Sequence, residues 1–199
     1  MSISAKDVKK LRDMTGAGMM DCKKALVETD GDLEKAVDLL RAKGAARAAK
    51  RAERTASEGT IGSYVHFDGK TAVLVELNCE TDFVANTDDF KALAKDLALH
   101  IASSAPLAVS KEDIPAEVVE RERQVYLEQV REEGKPEHIA DKIVEGKLQK
   151  FFKENTLLAQ PFVKDPDRTI EQLITDVSAK TGEKIEVARF ARMKVGEKS

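Results

Sequence analysis

The sequence TIGSYVHFDGKTAVLVELNC, residues 60–79, contains the clearest structural signal in the central part of this chain. Two runs with a hydrophobic period of two flank the dipeptide Asp68-Gly69, and glycine tolerates the positive φ that a tight hairpin turn requires. The stretch therefore predicts a β-hairpin. Its second run is apolar almost throughout at AVLV, residues 72–75, which predicts a strand covered on both faces or nearly so.

The segments that flank the hairpin predict a helix and a further strand. Thr87 is a candidate N-cap for a helix whose apolar residues share one face, which should lie on the sheet. The residues of this face are Phe90, Leu93, Ala94, Leu97 and Ile101. The run KIEVARFARMKV, residues 184–195, has the length and the β-branched content of a third strand that joins the hairpin.

Three more helices complete the expected core. Residues 114–158 predict two helices that break at residues 134–136, before a proline, and form an antiparallel hairpin near residues 115–155. Another helix begins at Thr169 with a capping-box pattern and ends at Gly182. The predicted fold class is α+β, with a three-stranded antiparallel sheet, packed helices and a helical hairpin.

The N-terminal part has the pattern of a compact three-helix unit. Apolar residues recur at helical spacing on both sides of a TGAGM turn, Asp32 can cap the third helix, and Gly44 is placed to end it. Residues 45–59 are rich in Ala and Arg and lack large apolar side chains, so a helix is possible there but has little to bury, and we interpret the segment as a basic, solvated linker. The predicted domains are a three-helix docking domain with this linker at its end, residues 1–54, and an α+β core, residues 55–199.

Composition limits the class of protein. The 199 residues carry a formal net charge of -3, and 42% of them are hydrophobic, which suffices for an ordinary core. The N-terminus lacks the apolar segment of a secretory signal, and no apolar run approaches the ~18 residues of a membrane span. Cys22 and Cys79 are too few for a disulfide scaffold. We expect a soluble cytoplasmic protein that does not act at a membrane.

No group of residues predicts catalysis. The turn TGAGMMDC contains a G-x-G but follows a helix and lacks the Lys-Ser/Thr of a phosphate-binding loop. His66, His100 and His138 have no partner at a metal-ligand spacing, so surface or half-buried roles are expected for them. The two cysteines lie in apolar patterns, as buried and unreactive thiols do. We expect no enzymatic activity, no metal and no cofactor, and therefore a binding function.

Two apolar features stand where polar residues are expected. Phe83 lies in NCETDFVAN, residues 78–86, between a predicted strand and a predicted helix, where turn chemistry favours Gly, Asn or Asp. Met19 and Met20 are adjacent and cannot easily both enter a small core, whereas flexible thioethers suit a contact surface. One alternative remains open for each feature. For Phe83 it is that the ring folds back over the sheet edge, and for the methionines it is that at least one of them belongs to the core.

Five motifs carry a resemblance to a known family. They are LRDMTGAGMMDCKKAL and GDLEKAVDLLRAKG near the N-terminus, NCETDFVAN in the middle, QPFVKD at residues 160–165, and IEVARFARMKVGE at the end. With these motifs the chain closely resembles the bacterial elongation factor Ts family. The resemblance implies a three-helix domain similar to ubiquitin-associated domains, followed by an α+β core with a three-stranded antiparallel sheet and a protruding helical hairpin.

The resemblance also implies a function, namely nucleotide exchange on the GTPase elongation factor Tu in translation elongation. In relatives the TDFVA loop inserts beside the magnesium and phosphate site of that partner. This role carries over to four residues: Asp82, Phe83, Val84 and Ala85. Contact with the nucleotide-binding domain of the partner carries over to three more: Arg12, Met19 and Met20.

The resemblance is to the short form of the family, which has a single core subdomain. A sheet with one helix-covered face leaves apolar surface, so we expect a homodimer that engages two partner molecules in a two-plus-two complex. The alternative is that the hairpin of residues 114–158 folds back over that face within one chain.

Two other classes of protein remain as alternatives. A plain adaptor would bind a peptide or a ubiquitin-like surface, but it gives no reason for an exposed aromatic residue beside Asp82. A nucleic-acid-binding protein would use the basic side chains of the linker, Arg47, Lys50, Arg51 and Arg54. No aromatic residues interleave with these cations, and the net charge is -3, so we expect no direct nucleic-acid binding.

Overall fold

The computed structural model describes residues 3–197, and this part of the chain forms an α+β fold, as predicted. In chain order its elements are α1 (Ala5–Thr15), α2 (Met19–Glu28), α3 (Leu33–Arg51), β1 (Glu58–Val65), β2 (Thr71–Cys79), α4 (Asp82–Ala85), α5 (Asp88–Ser104), α6 (Ala116–Glu132), α7 (Glu137–Asn155), β3 (Pro161–Phe162), β4 (Asp165–Thr169), α8 (Ile170–Thr181) and β5 (Ile185–Lys194). Within this described range, none of the helices has the length and apolar character needed to cross a membrane.

The first three helices form the predicted three-helix unit. Ser4 caps α1 by accepting the backbone N–H of Asp7, and Asp32 caps α3 by accepting that of Lys35. The unit has its own apolar core, to which all three helices contribute. Its buried side chains are Val8, Leu11, Cys22, Ala25, Leu26 and Ala36. Their helical spacing places them on the inner faces of the three helices.

Helix α3 is longer than the sequence predicts. The sequence predicts its end at Gly44, but α3 continues to Arg51 and Gly44 is buried. A Cβ atom added at Gly44 would lie 3.9 Å from Cβ of Ala179 in α8, so the two helices pack against each other. Arg51 Nη1 also donates a hydrogen bond to the carbonyl oxygen of Ser178 in α8, at 3.1 Å. The interpretation of this segment as a solvated linker is therefore wrong up to Arg51, because alanine and arginine favour helix and α8 supplies a packing partner.

The long strands form one antiparallel sheet in the order β1-β2-β5. The predicted hairpin is confirmed, since β1 pairs with β2 and Val65 lies opposite Ala72. Gly69 in the connecting loop has a φ of 69°, the left-handed conformation that favours glycine. The predicted third strand, β5, pairs with the other edge of β2. Strand β2 is therefore central, with backbone partners on both sides.

Among the described residues, helices cover one face of this sheet and leave the other open. Helix α5 lies across β1 and β2, as predicted. It approaches β1 closely at Gly62, which has no side chain, and a Cβ atom at this position would overlap the backbone of Ala94. Along β2 the side chains alternate, so that Val73 and Val75 are buried while Leu74 remains 55% exposed. The expectation that β2 is covered on both faces is wrong for the single chain, because the strand period of two directs Leu74 to the open face.

Helices α6 and α7 form the predicted antiparallel hairpin. Ion pairs cross between them from Arg123 to Glu145 (3.4 Å) and from Lys147 to Glu133 (3.6 Å). The apolar side chains along the seam pack on one another, and the buried ones are Val130, Ala140, Val144 and Leu148. The hairpin packs its apolar residues along this seam and, at Phe151, against Ala108 and Ile114, while Leu74 and Met193 on the open face of the sheet stay exposed. The alternative that the hairpin covers that face is therefore excluded.

His100 joins α5 to the segment that contains β3. It is fully buried, its Nε2 lies 2.9 Å from Gln160 Oε1, and its Nδ1 accepts the backbone N–H of Val163 at 3.2 Å. These partners select the neutral imidazole with its proton on Nε2. Burial lowers the pKa of His100. The expectation of a surface or half-buried His100 is wrong, because the QPFV segment supplies partners for both ring nitrogens.

Candidate functional site

The TDFVA loop presents one aromatic side chain to solvent. It follows β2 and contains α4, a single helical turn that Thr81 caps by accepting the backbone N–H of Val84. Val84 and Ala85 are buried in the main core, whereas Asp82 is exposed and Phe83 is 82% exposed. The alternative that Phe83 folds back over the sheet edge is therefore excluded.

Helix geometry explains this division of the loop. Successive residues of a helix point about 100° apart, so a single turn that buries two consecutive side chains directs the two before them away from the core. Val84 and Ala85 consequently anchor the turn, and Asp82 and Phe83 are the residues that a partner can reach. The site predicted from the sequence thus contains two anchoring residues and two presented ones.

The start of the loop is held by contacts that sequence reasoning missed. Glu183, in the turn between α8 and β5, accepts the backbone N–H groups of Glu80 (3.1 Å) and Thr81 (3.0 Å). The thiol of Cys79 donates to the carbonyl oxygen of Thr81 at 3.1 Å, and burial raises the pKa of this thiol, which keeps it protonated. No local sequence signal predicts the contact with Glu183, because 102 residues separate it from Thr81.

Arg12, Met19 and Met20 flank the turn between α1 and α2 of the three-helix unit. Helix α1 ends at Thr15, and Gly16, with a φ of 67°, turns the chain towards α2. Met19 and Met20 begin α2 and are 47% and 63% exposed, so neither belongs to the core and that alternative is excluded. Arg12 is exposed in the last turn of α1. The turn therefore presents two flexible thioethers and one cation.

The other candidate groups have structural roles. Both cysteines are buried, as expected. Among the side chains that the structure describes, no three of His, Cys, Asp or Glu are grouped as ligands for a metal ion. Arg47 pairs with Asp21 at 2.9 Å and Arg54 pairs with Glu80 at 3.2 Å, so two of the basic residues assigned to the linker are engaged within the chain. The exposed apolar side chains remain as the features suited to protein contact.

Comparison with known proteins identifies the family. The sequence model of the elongation factor Ts family matches residues 5–197. Three similar relatives, each named elongation factor Ts, come from Geobacter sulfurreducens, Thermosipho melanesiensis and Desulfosudis oleivorans. The first is 55% identical over 99% of this chain and 91% of its own length. The second is 55% identical over 98% of this chain and 100% of its own length. The third is 57% identical over 98% of this chain and 99% of its own length. The chain therefore belongs to the elongation factor Ts family.

Proposed function

We propose that this protein is the guanine nucleotide exchange factor of elongation factor Tu and promotes GDP release during translation elongation in the bacterial cytoplasm. Membership of the elongation factor Ts family supports the choice of partner. The observation that carries the mechanism is Phe83, an exposed aromatic ring on a short turn that is anchored to the core. Aromatic side chains presented in this way are the residues that most often dominate protein interfaces.

The proposed mechanism acts on the partner's hold on its nucleotide. A GTPase binds GDP largely through hydrogen bonds from its phosphate-binding loop and through Mg²⁺ coordination. The loop of Asp82, Phe83, Val84 and Ala85 inserts beside this site. There the Phe83 ring displaces the groups that bind the phosphates and Mg²⁺. The Asp82 carboxylate competes with phosphate for the positive charge of those groups. Val84 and Ala85 keep the inserted turn on the core. The protein forms and breaks no covalent bond, so it is an exchange factor and not an enzyme.

Linkage sets the direction of the cycle. If the exchange factor weakens GDP binding by some factor, then bound GDP weakens the binding of the exchange factor by the same factor. The complex without nucleotide is therefore the tightly bound state. Rebinding of a nucleotide releases the exchange factor for another round.

We further propose that Arg12, Met19 and Met20 dock on the nucleotide-binding domain of the partner. Methionine side chains adapt to irregular surfaces, and these two are exposed at the start of α2, with Arg12 exposed at the end of α1. The separate apolar core of the three-helix unit supports a docking domain of the ubiquitin-associated kind at residues 1–54 and an α+β core at residues 55–199.

We also propose that two copies of the chain pair through the open face of the sheet. Four apolar side chains on this face are more than half exposed: Ile61, Val65, Leu74 and Met193. The strand register joins them into one patch, since Ala72 lies between Val65 and Met193. Two-fold pairing of identical patches is the commonest way to cover such a surface, and two such sheets would stack as a sandwich. Each copy would engage one elongation factor Tu, in a two-plus-two complex.

A release assay tests the proposed function. Elongation factor Tu loaded with fluorescent GDP is mixed with this protein and an excess of unlabelled GDP, and the loss of fluorescence is timed by stopped flow. We expect release to accelerate with protein concentration and then to saturate. A protein that binds the partner without accelerating release would be a plain adaptor, and that result would refute the exchange function.

A further inference from the structure

The turn between α8 and β5 holds the start of the TDFVA loop through one carboxylate. Glu183 Oε2 accepts the backbone N–H groups of Glu80 (3.1 Å) and Thr81 (3.0 Å), and Glu183 Oε1 accepts the hydroxyl of Thr81 (2.7 Å). An ionised carboxylate has two acceptor oxygens and suits several donors that converge from one side. We propose that Glu183 is a positioning residue that aims Phe83 at the partner's nucleotide site, an inference that rests on the proposed exchange function.

The contact is reciprocal. Glu80 Oε1 accepts the backbone N–H of Lys184 at 2.6 Å, so residues 80–81 and residues 183–184 bind each other from both sides. We call this arrangement the carboxylate clasp. The hydrogen bond from Lys184, followed by that from Arg54, lowers the pKa of Glu80, so its carboxylate is ionised at neutral pH. The hydrogen bond that Glu80 accepts is therefore a bond to a charged acceptor, which is stronger than a bond between neutral groups.

The α8 side of the clasp is itself fixed. Helix α8 ends at Gly182, whose φ of 81° turns the chain so that Glu183 follows at the surface of the core. The hydroxyl of Ser178, which is buried, donates to the carbonyl oxygen of Glu183. The carbonyl oxygen of Ser178 accepts the hydrogen bond from Arg51 of α3. The clasp thus ties the TDFVA loop to two packed helices.

Two features hold the backbone that carries Phe83: the clasp before α4, and the burial of Val84 and Ala85 after Phe83. Helix α4 is a single turn, and its cap bond from the Val84 N–H to Thr81 Oγ1 is long, at 3.4 Å. The Phe83 ring is mostly in solvent, so its direction follows from its backbone, which the clasp fixes at Thr81 and the core fixes at Val84 and Ala85. Groups that act on a reacting centre lose much of their effect when they are displaced by about 1 Å. Releasing the clasp should therefore reduce exchange without removing any contact with the partner.

Two substitutions weaken the clasp without a change of shape. Glu183→Gln retains one acceptor oxygen and places an NH₂ group where the other oxygen accepted a hydrogen bond. Thr81→Val removes the hydroxyl that donates to Glu183 and also its long cap bond from the Val84 N–H, whereas Thr81→Ser keeps both and serves as the conservative rescue. Glu145→Gln, on the surface of α7, is the matched control for loss of a carboxylate away from the loop.

Stopped-flow titrations with elongation factor Tu and fluorescent GDP separate the maximal release rate from the half-saturating concentration. For Glu183→Gln and Thr81→Val we expect the maximal rate to fall about tenfold while the half-saturating concentration changes less than about threefold. Thr81→Ser and Glu145→Gln should remain close to the wild type. If Glu183→Gln does not fold, Thr81→Val decides the test.

A double-substitution cycle distinguishes positioning from general loss of structure. Because Glu183 acts through the ring of Phe83, Glu183→Gln should cause no further loss of rate in a Phe83→Ala background. Equal losses in both backgrounds, or an unchanged maximal rate in both clasp variants, would overturn the inference. Failure of the wild-type protein to accelerate GDP release would instead overturn the proposed function.

Discussion

Truncating Phe83 to alanine should slow stimulated GDP release and leave the fold intact. Phe83 is 82% exposed, so the folded chain buries only about a fifth of its surface. Full burial of a Phe side chain contributes about 1.5–3 kcal/mol, and a fifth of this is about 0.3–0.6 kcal/mol. We therefore expect the free energy of unfolding to fall by less than about 1 kcal/mol, while loss of a central interface residue slows release at least about tenfold.

Two other phenylalanines provide matched controls for this substitution. Phe90 in α5 has no exposed surface, so Phe90→Ala should lower the free energy of unfolding by about 3–5 kcal/mol. Phe67, in the loop between β1 and β2, is 93% exposed, so Phe67→Ala controls for the loss of an exposed ring at another place. We expect Phe67→Ala to leave the release rate unchanged.

The assays are urea unfolding for stability and stopped-flow release of fluorescent GDP for exchange. Phe90→Ala should lower the free energy of unfolding, whereas Phe83→Ala should lower the maximal release rate. A stability loss in Phe83→Ala as large as that in Phe90→Ala would show that Phe83 belongs to the core. A release rate equal to that of the wild type would show that the ring does not act on the nucleotide site.

Three further predictions concern stability and assembly. Burial lowers the pKa of His100 below the ~6.5 of an unfolded histidine, so the unfolded chain binds more protons and the free energy of unfolding should fall as pH drops through about 6.5, by at most about 1.4 kcal/mol per pH unit. His100→Asn should remove this part of the slope in urea titrations across pH 5–8, and an unchanged slope would refute the assignment. Gly44→Ala should raise the free energy of unfolding by about 0.5–1 kcal/mol, since its methyl group would meet Ala179 at an ordinary contact distance, and a loss would contradict this packing. Leu74→Lys should convert a dimer into a monomer of 21.9 kDa in sedimentation equilibrium, and a persistent dimer would show that the open sheet face is not the interface.

Most helices and strands could be predicted from patterns that span only a few neighbouring residues. Thr87 caps α5 by accepting the backbone N–H of Phe90, and Thr169 forms a complete capping box with Gln172. Gly182 ends α8 with a positive φ. These positions could be predicted because each depends on hydrogen bonds or backbone angles of neighbouring residues.

Predictions failed where a distant segment determined the outcome. Gly44 has the local character of a helix end, but α8 packs on the alanine-rich continuation of α3 and the helix proceeds. His100 resembles an isolated surface histidine in the sequence, yet Gln160 and the backbone of Val163 satisfy both of its ring nitrogens. In each case the partner comes from a part of the chain that a local pattern does not include.

The same distinction applies to the candidate site. Local patterns place Phe83 in the connection between a strand and a helix, and the motifs indicate the family. The exposure of the ring is a property of the tertiary structure, because burial of Val84 and Ala85 against the core directs Phe83 outwards. The folded chain has a second such effect. It also brought Glu183 to the start of the loop from 102 residues beyond Thr81. Local backbone preferences are encoded within a turn or two of the chain, whereas burial and the partners of a charge depend on which segments fold against each other.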